Sequence, residues 1–456
     1  MQADSDRELA AIEINLTDLG NARRLILNYG HDLKWCEAWK KWLVWDGKRW
    51  VIDDTLRVHQ WAKDTIRIMY REASEEFDEK KRRSLAQHAF RCEAINKIKA
   101  MLEVARSDVA VKPIIFDVNP WLLNVENGTL NLKTRELLPH IRENNITKLA
   151  PVEYDPSAEC PKWLNHLKKI MNHNQKLIDF HQSAYGYSLT GNTDERKMFI
   201  QYGSGANGKT TSNEVIKEIL GDYAQRTPTE TLFLKRDGSI PNDVAKLNGA
   251  RFVFCSEGEE GKKLAESLIK DITGGDTVSA RFMRAEWFEF APTFKVWLAT
   301  NHKPDIRGSD NAIWDRINLI PYVVTIPEPE RIPRRELMEE FMEEAPGILA
   351  WMVRGCQDWF KNGLSTPDEV REATSNYRTE MDIIGDFIST RCGVEKGEET
   401  EAATLYKNYT DWAVQQGIRK PLSNVSFAYR MLEKGFERKK GVSNRYIWMG
   451  VNIATH

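Results

Sequence analysis

The feature that most constrains the fold is a glycine-rich segment between an apolar run and a helical pattern. The segment is Gly203-Ser204-Gly205-Ala206-Asn207-Gly208-Lys209-Thr210, which matches G-x-x-x-x-G-K-[ST] in full. It follows the run MFIQY and precedes TSNEVIKEIL, whose pattern predicts a helix. A loop of this kind between a strand and a helix is typical of the P-loop, whose backbone N–H groups bind phosphate. The bland alternative is a glycine-rich turn that binds nothing.

The loop residues have separate expected roles toward a nucleotide. Lys209 is expected to reach the outer phosphates, and the Thr210 hydroxyl is expected to bind Mg²⁺. We therefore expect ATP and Mg²⁺ as cofactors. The candidate nucleotide ligands are Gly203, Ser204, Gly205, Ala206, Asn207, Gly208, Lys209, Thr210 and Thr211.

A carboxylate is expected at the end of a neighbouring strand, where it holds the metal or polarises the attacking water. The run RFVFC is followed by Ser256 and Glu257. Ser256 occupies the first of two places that are usually acidic, so Glu257 carries this role alone. We predict Glu257 as a catalytic residue and as a Mg²⁺ ligand, partly through water. The alternative is an ordinary surface charge at a strand end.

Two polar residues adjoin later apolar runs. Their order along the chain is more informative about function than either residue alone. Asn301 comes after FKVWLAT and is predicted to hydrogen-bond the attacking water or the γ-phosphate. Arg316 precedes INLIPY, where it could project from the edge of the domain. Taken singly, a turn asparagine and a surface arginine remain the simpler interpretations.

The apolar runs and helical patterns predict a multidomain α/β protein with a parallel central sheet. The length of 456 residues suggests about three domains. Two Trp- or Leu-rich hairpins, WLVWDGKRWVIDD and NVENGTLNLKTRELLPH, indicate a small α+β domain before the sheet. The predicted ranges are 1–150 for the N-terminal α+β domain, 151–195 for a helical collar, 196–330 for the ATPase core, 331–380 for a helical extension and 381–456 for a basic C-terminal domain.

Composition limits the partners and the compartment. The 65 Lys+Arg against 67 Asp+Glu leave a net charge of -2, so any nucleic-acid surface must come from local segregation of charge. Six cysteines without a C-x-x-C pair predict neither a zinc site nor a disulfide scaffold. We find no apolar run of membrane-spanning length and no signal peptide, which predicts a cytoplasmic protein with no membrane partner.

Residues 402–456 carry a local excess of six positive charges. A helix, a turn, a second helix and the basic hairpin FERKKGVSNRYIWMG predict a winged helix. Arg430 on the second helix, with Lys439 and Lys440 on the hairpin, are candidate DNA contacts. The alternative is a winged helix that packs only against protein partners.

The compact order of P-loop, acidic strand end, Asn301 and Arg316 resembles the superfamily 3 helicases. Finer strings, such as TGGDTVSARFMRAEWFEFAPTFKVWLATNHKPDIRGSDNAIWDRINLIPY and EEAPGILAWMVRGCQDWFKNGL, are similar to the phage, plasmid and poxvirus primase-helicase group. The resemblance covers about residues 30 to 365 and continues more weakly to the end. It implies a hexameric AAA+ ring that hydrolyses ATP at subunit interfaces and moves on single-stranded or forked DNA, generally 3′ to 5′.

The resemblance also implies roles for individual residues. Arg316 matches the arginine finger, which would reach the nucleotide of the neighbouring subunit. Residues 278–290 match a pore hairpin, whose expected DNA contacts are Arg281, Phe282 and Arg284. An ordinary hairpin with solvated arginines remains the alternative.

Only about 20 residues precede the similar region, so we expect no primase domain in this chain and a separate primase or initiator protein as a partner. The leading hypothesis is a replicative helicase of a phage or other mobile element, in the cytoplasm of a bacterial host. The alternative is an ATP-driven initiator that remodels DNA without processive unwinding. A small-molecule kinase would account for few residues outside 203–210.

Overall fold

The computed structural model describes residues 14–234, 242–256, 262–281, 287–306, 311–418, 421–441 and 445–454. The chain divides into two compact units. Unit 1 comprises Met1–Pro156 with Ile219–Tyr223, and unit 2 comprises Ser157–Glu218 with Ala224–His456. The finer division into five ranges stays a prediction.

The described residues of unit 1 form four α-helices and two small sheets, as expected for an α+β domain. Its helices are α1 (Asp18–Tyr29), α2 (Arg57–Glu75), α3 (Glu79–Cys92) and α4 (Ile95–Ala105). Its strands are β1 (Leu33–Cys36), β2 (Lys41–Trp45), β3 (Trp50–Ile52), β4 (Ala110–Val111), β5 (Leu122–Val125), β6 (Gly128–Asn131) and β7 (Glu136–Leu138). The four-stranded sheet has the order β3-β2-β1-β4, and the three-stranded sheet has the order β5-β6-β7.

Both hairpins predicted for unit 1 are present. In the first, Trp45 pairs with Trp50, and the Asp46 carboxylate accepts the backbone N–H groups of Lys48 and Arg49 at 2.7 and 2.8 Å. Gly47 adopts a φ of 107°, which a side chain would disfavour. In the second hairpin, Val125 pairs with Gly128, so the two-residue turn is Glu126-Asn127 rather than the Asn127-Gly128 pair that is typical of such turns.

Unit 2 contains the predicted parallel sheet. Its strands are β8 (Met198–Tyr202), β9 (Ala224–Arg226), β10 (Phe252–Ser256), β13 (Lys295–Thr300) and β14 (Ile317–Pro321), and two further strands, β11 (Val278–Ala280) and β12 (Phe288–Phe290), form an antiparallel hairpin. The order β14-β8-β13-β10-β9 is parallel at every pairing. All six residues of β13 are buried, which explains why its sequence is a continuous apolar run rather than an alternating one.

Helices surround this sheet and extend from it. They are α5 (Pro161–Ile170), α6 (Gln175–Ser188), α7 (Lys209–Leu220), α8 (Asn242–Ala245), α9 (Glu266–Gly274), α10 (Asn311–Trp314), α11 (Arg334–Glu343), α12 (Ala345–Asn362) and α13 (Asp368–Glu380). Six short 3₁₀ turns complete the described backbone, at Gly30–Asp32, Pro113–Ile115, Arg142–Asn144, Gly221–Tyr223, Thr229–Thr231 and Glu328–Glu330. No helix among the described residues is both long enough and apolar enough to span a membrane.

The C-terminal part of unit 2 has a core of its own, which includes Phe387, Tyr409, Phe427 and Trp448. Its elements are α14 (Ile383–Arg391), β15 (Cys392–Gly393), β16 (Glu399–Glu401), α15 (Ala402–Gln415), α16 (Asn424–Glu433), β17 (Glu437–Lys440), β18 (Tyr446–Met449) and β19 (Asn452–Ile453). Ser423 caps α16 by accepting the N–H of Ser426 at 3.2 Å. The order helix, helix, hairpin is the one expected from the sequence.

Candidate nucleotide-binding site

The glycine-rich loop lies at the carboxyl end of β8 and leads directly into α7. Gly208 has a φ of 81°, and Ala206 has a φ of 56°, an uncommon value for a residue with a side chain. A Cβ on Gly203 would clash with the carbonyl oxygen of Tyr322, whereas a Cβ on Gly205 would meet open space. The loop is thus tightly packed on one side and open on the other, as a phosphate cradle requires.

Lys209 is held inside this loop. Its side chain is only 4% exposed, and its Nζ donates to the carbonyl oxygen of Gly203 at 2.7 Å and to Oδ1 of Asn301 at 3.0 Å. Burial lowers the pKa of Lys209 to about 8, because the ammonium has lost water without gaining an anion. A phosphate beside Lys209 would stabilise the charged form.

A cleft of 210 Å³ opens at this edge of the sheet. It lies between the loop and the end of β13, so it gathers most of the residues that the sequence proposed as nucleotide ligands. Gly203 and Ser204 are outside its lining, and Ser204 Oγ lies 3.0 Å from Oγ1 of Thr325. The cleft is lined by Gly205, Ala206, Asn207, Gly208, Lys209, Thr210, Thr211, Ala299, Thr300 and Asn301.

The chemistry of this lining fits a magnesium nucleotide. Backbone N–H groups of the loop and the Lys209 ammonium suit phosphate oxygens, and the Thr210 hydroxyl is an oxygen ligand of the kind that Mg²⁺ prefers. Glu257, the predicted second metal ligand, lies outside the described residues. The preceding residue Ser256 ends β10, and it pairs with Ala299 two residues before Asn301. The chain therefore enters the Glu257 segment at the same edge of the sheet.

Arg316 lies at the opposite edge of the sheet. It precedes β14, whose Ile317 pairs with Met198 at the start of β8, whereas the glycine-rich loop follows the end of β8. Five residues of strand separate the two edges by about 16 Å. The Arg316 guanidinium is also held in place: Nε donates to Oγ1 of Thr273 at 3.1 Å, and Nη1 donates to the carbonyl of Ala312. Arg316 and Lys209 of one chain are therefore not brought together.

A buried polar network behind the loop was not anticipated from the sequence. Gln201, in the middle of the buried strand β8, donates to the hydroxyls of Tyr322 at 2.8 Å and Tyr185 at 3.2 Å, and its Oε1 accepts from Asn213 at 2.8 Å. His181 Nε2 lies 2.9 Å from the Tyr322 hydroxyl, and burial lowers the pKa of His181 to about 4. The network fixes β8 against helices α6 and α7. The signal was the lone amide in the apolar run MFIQY.

The structure contains the base of a hairpin at residues 278–290, where the sequence predicted one, and its pore role stays a prediction. Val278 pairs with Phe290 and Ala280 with Phe288. Arg281 continues from β11, and its guanidinium carbon lies 5.0 Å from the ring centre of Trp287, which is 56% exposed. Phe282 and Arg284 lie outside the described residues. Trp287 is an exposed aromatic side chain that the sequence interpretation did not single out, although it stands close to the predicted residues in AEWFEF.

The three candidate contacts of the C-terminal part differ in their surroundings. Arg430 is mostly covered and its Nη1 lies 3.5 Å from the Glu433 carboxylate. Lys439 and Lys440 are exposed on β17, and Lys439 Nζ lies 3.4 Å from the Glu437 carboxylate. The exposed surface of α16 also carries apolar side chains, namely Val425, Tyr429 and Leu432. The basic hairpin therefore offers cations more openly than the helix does.

Comparisons with known proteins agree with these motifs. Residues 22–172 match the family model described as "D5 N terminal like", and residues 201–316 match the "Family of unknown function (DUF5906)". A protein of Acanthamoeba polyphaga mimivirus named "Putative helicase" is 26% identical over 333 residues, which are 67% of this chain and 34% of that protein. The resemblance to the viral primase-helicase group is confirmed.

Other relatives come from further large DNA viruses. A "Putative helicase" of Frog virus 3 is 25% identical over 54% of this chain and 27% of its own length, and a "Putative primase" of African swine fever virus (strain Badajoz 1971 Vero-adapted) is 26% identical over 65% and 33%. The chain thus spans about a third of the length of these relatives. A solved structure titled "The apo structure of NrS-1 C terminal region" aligns with 92% of this chain and 96% of its own, at 12% identity and a TM-score of 0.49.

Proposed function

We propose that this chain is the ATP-driven motor of a replicative DNA helicase of a virus, phage or other mobile element. The names of its relatives support a helicase-like role. The single observation that carries the proposal is the placement of three side chains on the parallel sheet. Lys209 and Asn301 meet at the carboxyl edge beside the glycine-rich loop, and Arg316 is fixed at the amino edge.

In the proposed site, the loop 203–211 binds the phosphates of ATP through its N–H groups, and Lys209 exchanges its contacts with Gly203 and Asn301 for the outer phosphates. Asn301, released from Lys209, is then free to orient the attacking water. Thr210 and Glu257 would hold Mg²⁺, which supplies charge neutralisation on the phosphates. Glu257 would also accept a proton from the water.

The separation of Arg316 from its own loop supports a ring of identical subunits. A guanidinium that stabilises charge on the γ-phosphoryl group has to approach within hydrogen-bond distance of it. The five residues of β8, about 16 Å of strand, separate the backbone position of Arg316 from the glycine-rich loop of its own subunit. We therefore propose a homohexameric AAA+ ring in which Arg316 reaches the nucleotide of the neighbour.

DNA contacts are proposed for the hairpin 278–290 and for the C-terminal part. In the hairpin, Arg281 pairs with Trp287 to present a cation beside an aromatic face, a combination that suits single-stranded DNA. In the C-terminal part, the order of α15, α16 and the basic hairpin suits a winged helix, with Lys439 and Lys440 on DNA phosphates. Movement along DNA from 3′ to 5′ and a separate primase or initiator as partner belong to the same proposal.

Unwinding of a forked duplex distinguishes the proposed helicase from the alternative, an ATP-driven initiator that remodels DNA without processive unwinding. We call this alternative an assembly switch. Under single-turnover conditions with ATP and Mg²⁺, the helicase should displace the labelled strand, and chelation of Mg²⁺ should stop it. Glu257→Gln should keep ATP binding and lose both hydrolysis and strand displacement, because an amide cannot accept the proton. Hydrolysis and DNA remodelling without strand displacement would instead support the assembly switch.

A further inference from the structure

The surface of helix α3 in unit 1 has no place in the motor just proposed. The helix packs through Leu85, Ala89 and Cys92, which join the core of unit 1. Its opposite face should be polar if it served only to meet solvent. That face instead carries Phe90, which is 70% exposed, and Phe77 just before the helix is 98% exposed.

The same helix is strongly basic. Between residues 77 and 92 there are five cations, Lys80, Lys81, Arg82, Arg83 and Arg91, and two acids, Asp78 and Glu79. Asp78 caps the helix by accepting the N–H groups of Lys80 and Lys81, at 2.8 and 3.0 Å. Within the described part of the chain, none of the five cations forms an ion pair with a carboxylate. Their charge is therefore available to an outside partner.

Cations and aromatic ring converge on one side of the helix. Arg83, Gln87, Phe90 and Arg91 recur at the spacing of a single helical face, and Lys80 lies one turn before Arg83. A shallow depression of about 320 Å³ is lined by Arg83, Ala86, Gln87, Phe90 and Arg91. The depression combines two guanidinium groups, an amide and an aromatic face.

We propose that helix α3 is a binding surface for single-stranded nucleic acid. Lys80, Arg83 and Arg91 contact phosphates, and Phe90 stacks on a base while Gln87 is placed to hydrogen-bond its edge. Charge complementarity selects a polyanion, and the exposed ring selects one with accessible bases, since duplex DNA keeps its bases stacked. A membrane surface fits less well, because the apolar face of this helix is buried in the core and cannot insert into lipid.

The test measures binding of a labelled oligothymidylate by fluorescence anisotropy, without nucleotide, as a function of salt. All variants are made in the full chain carrying Arg281→Ala, which removes one contact of the proposed pore hairpin. Arg83→Ala with Arg91→Ala should weaken binding and lower the salt slope by about 1.4, since each lost phosphate contact on a single strand removes roughly 0.7. Phe90→Ala should weaken binding about 5- to 100-fold with an unchanged slope, and Phe90→Trp should retain it.

A matched control uses two exposed lysines on other helices of unit 1. Lys63→Ala with Lys99→Ala removes the same charge and should leave affinity and slope unchanged. Equal affinities for all variants would overturn the inference. So would unchanged DNA binding together with lost binding of the Arg83 and Arg91 variant to phosphatidylserine vesicles, or to an acidic peptide.

The inference can fail independently of the proposed motor. Because no nucleotide is present, Lys209→Ala protein should show the same loss on Phe90→Ala as the parent. If the chain with Lys209 intact hydrolyses no ATP but still shows these losses, the proposed motor fails while the proposed binding surface stands.

Discussion

The two edges of the parallel sheet in unit 2 hold cations in different ways. At the carboxyl edge, Lys209 is buried in a cleft and donates to Gly203 and Asn301, groups that a phosphate can replace. At the amino edge, Arg316 is partly exposed and anchored to Thr273 and Ala312, groups that have no role toward a nucleotide. Lys209 would bind a phosphate within its own subunit. In the proposed ring, Arg316 would act on the nucleotide of the neighbouring subunit.

Under the proposed mechanism, this difference explains why one chain would form an incomplete catalytic site. Parallel strands place all loops that follow them at one edge, so a residue that precedes a strand is a full strand length away. Bringing Arg316 to its own cleft would require the sheet to be taken apart. Bringing it to the cleft of a second copy requires only a ring in which unlike edges face each other.

Replacing Lys209, at the carboxyl edge, should have the largest effect on ATP hydrolysis. Lys209→Ala should reduce steady-state ATP hydrolysis to background, because no other ammonium lines the described cleft. Lys217→Ala, in the same helix but ion-paired to Glu218 on the surface, is the matched control and should keep wild-type turnover. Retention of more than about a tenth of the activity by Lys209→Ala would remove the basis for the P-loop assignment.

Replacing Arg316, at the amino edge, should reduce ATP hydrolysis almost as strongly. It should do so by slowing the reaction while ATP binding is preserved. Arg316→Ala should lower the rate of hydrolysis by about 1,000-fold or more, the range seen for arginine fingers. Binding of a fluorescent ATP analogue to the same protein should be close to wild type, because the cleft is intact. A loss of affinity equal to the loss of rate would place Arg316 in its own cleft.

A smaller effect is expected from the residue that positions Arg316. Thr273→Val keeps the buried shape but removes the acceptor of Arg316 Nε, a hydrogen bond worth about 1 kcal/mol, so kcat should fall about fivefold with little change in KM. In the Arg316→Ala background, the same substitution should change nothing further. An additive loss in the double variant would mean that Thr273 acts only on the stability of α9.

The smallest effect is expected for Arg281, on the binding of single-stranded DNA. Arg281→Ala should lower the salt slope of single-stranded DNA binding by about 0.7 and weaken unwinding, because one phosphate contact is lost. ATP hydrolysis in the absence of DNA should persist, since β11 and β12 are distinct from the sheet that carries the cleft. Loss of DNA-independent hydrolysis would assign the hairpin a structural role in the motor instead.

Sequence alone was sufficient where function depends on short-range chemistry. The strand MFIQY, the loop and the following helix are consecutive, so the motif was enough to predict the position of Lys209. The buried parallel strands were predictable because each is an apolar run. Contacts between distant segments were beyond it. The Gln201 network joins residues up to 141 positions apart. The hydrogen bond from Arg316 to Thr273 joins the start of a strand to the end of a helix, and no sequence pattern predicts that contact.

Surface properties were also only partly predictable. The basic C-terminal hairpin was visible as a cluster of charge, but the coverage of Arg430 beside Glu433 depends on the tertiary fold. The boundary between the helices Glu79–Cys92 and Ile95–Ala105 depends on tertiary packing, and the sequence analysis did not place it. As a result the outward position of Phe90 could not be foreseen.

Complementation between two inactive variants tests the central claim most directly. Lys209→Ala subunits keep Arg316, and Arg316→Ala subunits keep the cleft, so a mixed ring contains interfaces at which one subunit supplies each part. In an equal mixture with random assembly, verified by native mass spectrometry, about a quarter of the interfaces should be complete and ATP hydrolysis should reappear. Mixed rings that stay as inactive as either parent would show that Lys209 and Arg316 must act from the same chain, and would contradict the account.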